Sequence, residues 1–254
     1  MAAGDEGGKQ DRKVDFAHLL KPVQNLCNLI EFDHQIVEKT ASVQMRFFLK
    51  TSEGIMAQQV QLKFNDPAPD IKLLGADGSS IQLSSLWQDK VLVLAFTRHF
   101  GCPQCKEMLD QLIDAHQALT ERGLRLAIIS HASAESAKQF CDLRAPSAIC
   151  LADPDRSAYH AFGLYQGTFW QTLLSPNIWL SNRRLARTKG YKPEVPPAGQ
   201  DAYQMSGTFI IGTDGRIRLP YYYEDIADHP PVDLLLHGVM GSNWDKPYNT
   251  RPVV

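Results

Sequence analysis

The residues with the clearest capacity for chemistry are Cys102 and Cys105, separated by Pro103 and Gln104. Before them Val91, Leu92, Val93, Leu94, Ala95 and Phe96 form an unbroken apolar run, the pattern of a strand covered on both faces. Thr97 to Gly101 then make a turn, and Pro103 stands where a first helical turn tolerates proline best. Met108, Leu109 and Leu112 follow at helical spacing. This order predicts Cys102 at the mouth of a helix and Cys105 one turn inside it on the same side. Free backbone N–H groups and the positive end of the helix dipole favour a thiolate at that mouth. A Cys-x-x-Cys pair also suits a metal. The buried strand before the motif and the proline within it favour redox chemistry instead, and no second cysteine pair or His-x-x-x-His follows at zinc-finger spacing.

The elements that must position this pair follow a regular pattern. Ile71 to Leu74 and Ser80 to Leu83 flank Gly75-Ala76-Asp77-Gly78, a hairpin signal. After the cysteine helix come a strand over Leu124 to Ser130, a helix over Ser133 to Leu143, a strand over Ser147 to Leu151, and a helix over Pro154 to Phe162 capped by Asp153. Such alternation builds parallel crossover units. A second hairpin is expected from Thr208 to Ile211 and Arg216 to Tyr222, and a last helix from Asp228 to Met240, ended by Gly241. Cys141 and Cys150 fall at packing positions and read as buried small hydrophobes.

The rest of the chain decorates that core. Residues 1–13 are Gly-rich and charged, and read as disordered. Residues 14–64 form an N-terminal extension, helical and then a hairpin or mixed. Its stripe of Phe16, Leu19, Leu20, Val23, Leu26, Cys27 and Ile30 must dock on its own core or on a partner, and an interface is expected, either of a homodimer or with a larger protein assembly. The core domain spans 65–241, with an irregular insertion at 164–205 carrying the basic residues Arg183, Arg184, Arg187 and Lys189, and 242–254 reads as an extended tail.

Among 254 residues, 44% are hydrophobic, and the net charge of −2 gives no reason to expect nucleic acid or an anionic membrane as partner. No apolar run approaches a membrane span, and the N-terminus carries no hydrophobic signal region. Five cysteines, an odd number, do not suggest a disulfide scaffold. A reducing, cytoplasmic setting with only a transient catalytic disulfide is expected.

Four motifs in order resemble the peroxiredoxin-like (alkyl hydroperoxide reductase/thiol-specific antioxidant) branch of the thioredoxin-like superfamily. They are Asp66-Pro67-Ala68-Pro69-Asp70 leading to the strand at Val91; Arg98-His99-Phe100-Gly101-Cys102-Pro103-Gln104-Cys105; Leu151-Ala152-Asp153-Pro154-Asp155 with Phe162-Gly163-Leu164; and Gln204-Met205-Ser206-Gly207-Thr208-Phe209 with Asp214-Gly215. The resemblance implies an α/β fold, a three-layer α/β/α sandwich around a mixed sheet, and thiol-dependent antioxidant reduction of hydroperoxides. Cys102 would attack a peroxide or disulfide, Cys105 would resolve the product, and Arg98, His99 and Thr97 would complete the catalytic set. No cofactor or metal is implied. Electrons would come from a thioredoxin-like protein or glutathione. Two departures stand out. His99 lies where the family has Thr or Ser, and Ser206 lies where it has an arginine; Arg98 would be a candidate to supply the missing cation from the other side. They keep open a non-enzymatic alternative, a binding or assembly module with the extensions as docking arms.

Overall fold

The structure is a computed structural model that describes residues 61–238 and Trp244. The expectations for 1–13, for 14–60 including the apolar stripe and Cys27, and for the tail apart from Trp244 lie outside the described residues. The described residues all fall within one compact unit. Residues 61–64, assigned above to the extension, already engage the core. The Leu62 N–H donates to Tyr222 Oη at 2.6 Å and the Asn65 N–H to the Ile217 carbonyl at 2.8 Å.

A seven-stranded mixed sheet organises the unit. Its strands are β1 (Lys72–Gly75), β2 (Ser80–Gln82), β3 (Val91–Phe96), β4 (Leu124–Ser130), β5 (Ile149–Ala152), β6 (Gly207–Ile211) and β7 (Ile217–Tyr222), in the order β2-β1-β5-β4-β3-β6-β7. β3 is central and wholly buried. It pairs in parallel with β4, Val91 opposite Leu124, and antiparallel with β6, Leu92 opposite Ile211. Successive side chains of a strand point to opposite faces, and β3 divides accordingly. Val91, Val93 and Ala95 join one apolar core with Met108, Leu109, Leu112 and Cys141, while Leu92, Leu94 and Phe96 join another with Tyr159, Phe162 and Phe209. That two-sided burial gives the three expected layers.

The helices are α1 (Pro103–Asp114), α2 (His116–Glu121), α3 (Ala134–Arg144), α4 (Ser157–Ala161), α5 (Pro176–Thr188) and α6 (Val232–His237). Ser133 caps α3 by accepting the Ser136 N–H at 3.2 Å.

Several boundaries differ from those expected. α4 begins at Ser157, not Pro154, because Arg156 takes a left-handed φ of 61°. Asp153 still caps it, its carboxylate accepting the Ala158 and Tyr159 N–H groups at 2.9 and 3.2 Å. The last helix starts at Val232. Asp228 is spent on Tyr221 Oη and the Glu224 N–H, and Gly238, with φ of 70°, ends the helix before Gly241. The insertion is only partly irregular: it folds into a π-helical segment, Trp170–Leu174, followed by the 13-residue α5, and after Thr188 it runs without regular structure toward β6. Pro176 opens α5, and Ile178 and Leu185 anchor it in the core.

Cys141 and Cys150 are not separate packing residues. They form a disulfide that ties α3 to β5 across a Cα–Cα distance of 6.5 Å. Packing α3 against the sheet brings both sulfurs to one place, which an odd cysteine count does not reveal. The argument for reducing surroundings loses its premise with it. Among the described residues no helix is long and apolar enough to cross a membrane.

Candidate active site

The turn after β3 is held rigidly. The Thr97 N–H and hydroxyl both donate to the Ile129 carbonyl, at 2.9 and 3.2 Å, and Tyr159 Oη donates to the Thr97 and Ile129 carbonyls at 2.6 and 3.1 Å. Thr97 therefore shapes the turn, and no hydrogen bond joins it to either sulfur. The Phe100 ring stacks on Phe140 of α3 at 3.9 Å between centroids. The Phe100 N–H donates to Gln200 Oε1 at 2.8 Å. Gly101 must lack a side chain, because a Cβ there would lie 2.6 Å from the Glu194 carbonyl oxygen.

Cys102 takes extended dihedrals as the N-cap of α1, with Pro103 in the first turn. Cys105 lies one turn in, both cysteines are free, and both are buried. Arg98, itself buried, reaches both of them: its backbone N–H donates to Cys105 Sγ at 3.3 Å and its Nη1 to Cys102 Sγ at 3.4 Å. The same guanidinium donates through Nε to the Gln204 carbonyl at 3.0 Å and through Nη2 to the Ala202 carbonyl. The cation that Ser206 cannot provide thus comes from the turn before the cysteine, locked to the segment before β6. As a thiol, Cys102 also donates to Gln104 Oε1 at 3.4 Å.

These surroundings split the two thiols. The Cys102 pKa falls from 9.0 to about 6, chiefly because the Cys105 thiol donates toward the ionised sulfur. Burial opposes the fall, while the Arg98 charge and the Cys105 backbone N–H add to it. Cys105 is pushed well above its ordinary value by that same hydrogen bond and by burial. Near neutral pH the site therefore holds a thiolate at Cys102 and a thiol at Cys105, a nucleophile with its proton-bearing partner beside it. Burial, with the nearby charges of Arg98 and Lys106, lowers His99 to about 4. His99 is neutral at pH 7, so it can act as a hydrogen-bonding group but not as a cation that stabilises the thiolate. Its Nδ1 is buried with no partner. His131, at the end of β4, is held to about 4 in the same way, and its Nε2 accepts the Asp201 N–H at 2.9 Å.

The insertion roofs the cysteine helix. Gln104 Nε2 donates to Asn182 Oδ1 at 2.7 Å, Lys106 pairs with Glu194 at 2.7 Å, Glu107 with Arg184, and Asp110 with Lys189 at 2.7 Å. Arg184 and Lys189 of the basic cluster therefore bind α1, whereas Arg183 and Arg187 face solvent. Under the roof lies a cavity of about 320 Å³. It is lined by Arg98, His99, Pro103 and Gln104 of the cysteine turn and helix and by Leu173, Ile178, Trp179 and Tyr203 of the insertion. Cys102 is 1% exposed and sits behind Arg98 and Gln104, the two lining residues its sulfur touches.

The cluster thus contains Cys102, Cys105 and Arg98, with His99 at the cavity wall and Thr97 behind the turn. Sequence reasoning missed Gln104, although it lies inside the motif, and the carbonyls of Ala202 and Gln204. Gln204 was visible only as the first residue of the closing signature.

A family model described as the AhpC/TSA family matches residues 64–219. "Peroxiredoxin-like 2C" of Mus musculus is 27% identical over 192 residues, 73% of this chain and 83% of that protein. "Thioredoxin-like protein AAED1, chloroplastic" of Arabidopsis thaliana is 25% identical over 179 residues, 67% of this chain and 71% of that protein. Among solved structures, Peroxidoxin BcpB from Mycobacterium tuberculosis superposes with a TM-score of 0.46 at 20% identity, covering 62% of this chain and 83% of that one.

Proposed function

From the premise that this chain belongs to the AhpC/TSA family, we propose that it is a thiol peroxidase that reduces hydroperoxides through Cys102. Family membership supports a thiol-dependent redox role. The observation that carries the finer reading is the paired environment of the two sulfurs, an acidic Cys102 contacted by Arg98 and a proton-retaining Cys105 one turn away.

In the first step the Cys102 thiolate attacks the terminal oxygen of a hydroperoxide. The S–O bond forms as the O–O bond breaks, sulfur is oxidised by two electrons, and the departing alkoxide or hydroxide takes a proton from water. Arg98 steadies the thiolate and the developing negative charge. His99, neutral, offers a ring nitrogen to the departing oxygen. In the second step Cys105 gives up its proton and attacks the Cys102 sulfenic acid. The S–S bond forms and water leaves. A dithiol of the thioredoxin type, or two glutathione molecules, then restores both thiols and carries away the two electrons as its own disulfide.

Hydrogen peroxide, an organic hydroperoxide and a disulfide substrate, assayed side by side with wild type and Cys102→Ser, test the reading. Peroxide consumption that disappears in Cys102→Ser is expected. Turnover of the disulfide alone makes the protein a disulfide reductase, and no fast-reacting thiol at all makes it a binding module.

A further inference from the structure

The cavity above the thiol is much larger and more apolar than hydrogen peroxide requires. At about 320 Å³ it falls within the range of pockets that bury small organic ligands. Much of its apolar lining belongs to the insertion: Leu173 of the π-helical segment, Ile178 and Trp179 of α5, and Tyr203 of the segment before β6, joined by Ile226 from beyond it. Three of these open toward water. Trp179 is 67% exposed, Leu173 49% and Tyr203 40%. The rim is nonetheless fixed, because Trp179 Nε1 donates to the Leu173 carbonyl at 3.1 Å and so joins the two helical pieces at the mouth. Phe169, Trp170, Leu174 and Leu180, on the same two segments, are exposed as well. A fold gains nothing by holding that much aromatic and aliphatic surface in water, and such surface beside a cavity marks a binding site. The polar lining of the cavity includes Arg98 and Gln104, whose side chains touch the Cys102 sulfur, together with His99, Asn182 and Glu194.

We propose that Leu173, Trp179 and Tyr203 are specificity-determining residues that select hydroperoxides carrying a bulky apolar body over hydrogen peroxide. The inference rests on the peroxidase reading of Cys102. The peroxide group meets Arg98 and His99 at the inner end, and the apolar body lies along Leu173, Ile178 and Trp179. The chemistry is the step already written: Cys102 takes the terminal oxygen, and the alcohol that carries the body leaves through the mouth after gaining a proton from water. Contact between body and wall is available to an organic hydroperoxide and absent for hydrogen peroxide, so it enters the rate ratio directly.

The test is single-turnover oxidation of the fully reduced full-length protein by cumene hydroperoxide and by hydrogen peroxide, followed as loss of the Cys102 thiol. The expected wild-type rate constant for cumene hydroperoxide exceeds that for hydrogen peroxide by about tenfold or more, and Trp179→Ala and Leu173→Ala each lower that ratio by about tenfold. Both positions are largely solvent-exposed, so the shortened variants keep the fold, which circular dichroism verifies. A wild-type ratio at or below one, or a ratio unmoved in both variants, overturns the inference while leaving the peroxidase reading intact. If neither oxidant consumes the Cys102 thiol, both fall together.

Discussion

Replacing Cys105 separates two jobs that the proposed mechanism gives its side chain: donating a proton toward the neighbouring thiolate and later closing a disulfide. The fall of Cys102 from 9.0 to about 6 amounts to roughly 4 kcal/mol of preference for the thiolate. Its largest cause is the hydrogen bond from the Cys105 thiol. A hydrogen bond to a charged group contributes about 1.5–3 kcal/mol, or about 1–2 pH units in the titration of its acceptor. Cys105→Ala is therefore expected to move the Cys102 midpoint up to about 7–8, while Cys105→Ser, whose hydroxyl still donates, stays within about half a unit of wild type. The assay is the rate of Cys102 alkylation by iodoacetamide between pH 4 and 10, followed at the Cys102 peptide by mass spectrometry. A Cys105→Ala midpoint still near 6 would refute the reasoning, as would a Cys105→Ser midpoint displaced as far as that of Cys105→Ala. Neither variant can form the intramolecular disulfide, so only the titration distinguishes them. The same pair sets a stability profile under reducing conditions. Cys102, depressed in the folded state, contributes stability that is present above pH 9 and lost as pH falls toward 6. Cys105, raised in the folded state, costs stability above pH 9, where the unfolded thiol ionises and the folded one does not. The urea midpoint contribution from the two thiols should thus rise from pH 6 to a maximum near 9, and the rise should vanish in the double serine variant.

Three further outcomes are expected. Arg98→Met removes the cation from Cys102 and leaves the Ala202 and Gln204 carbonyls without their donor. The Cys102 alkylation midpoint should rise by about one unit or more and the urea midpoint should drop, each buried carbonyl left bare costing about 1–3 kcal/mol; an unchanged titration refutes the role given to Arg98. His99 sits at about 4, so the wild-type pH–rate profile between 5 and 8 should show a single rising limb, and a second limb there that disappears in His99→Phe would show that His99 carries charge in that range. Cys141→Ser opens the staple between α3 and β5, which should cost about 2–3 kcal/mol in chemical denaturation, and wild type treated with dithiothreitol should match the variant; equal midpoints in all three samples would remove the disulfide from the fold's support.

What could be read in the sequence was whatever depended on local rules. The unbroken run from Val91 to Phe96 announced a strand covered twice, and the structure divides it between two cores. Pro103 placed the helix start, and Gly78 and Gly215, with φ of 81° and 73°, marked the tips of the two hairpins. What escaped depended on long-range geometry. Cys141 and Cys150 each satisfy the apolar periodicity of their own element, and a half-cystine fits that pattern as well as a thiol, so their pairing becomes visible only when α3 lies on β5. Residues 164–205 looked irregular because the cues in Phe169, Trp170, Trp179 and the basic residues mix exposed apolar with paired charged positions. Their order comes from contacts with α1 that no window of that segment contains. Gln104 carried no signal of its own, since its importance lies in Asn182, 78 residues away.

The ties between α1 and its roof have a mechanical consequence. Gln104 turns its amide oxygen to Cys102 and its amide nitrogen to Asn182, and the next three polar positions of α1, Lys106, Glu107 and Asp110, each grip the insertion. In the proposed mechanism a disulfide between Cys102 and Cys105 would form in the turn from which the first of these ties is cast, and forming the thiolate removes the proton that Gln104 accepts. The lid over the cavity is therefore fastened to the helix whose first turn carries the thiol pair. Its backbone amides from Trp170 to Thr188 should exchange with deuterated solvent faster in the oxidised protein than in the reduced one, so that the redox state of two buried atoms is broadcast as the breathing of a surface helix.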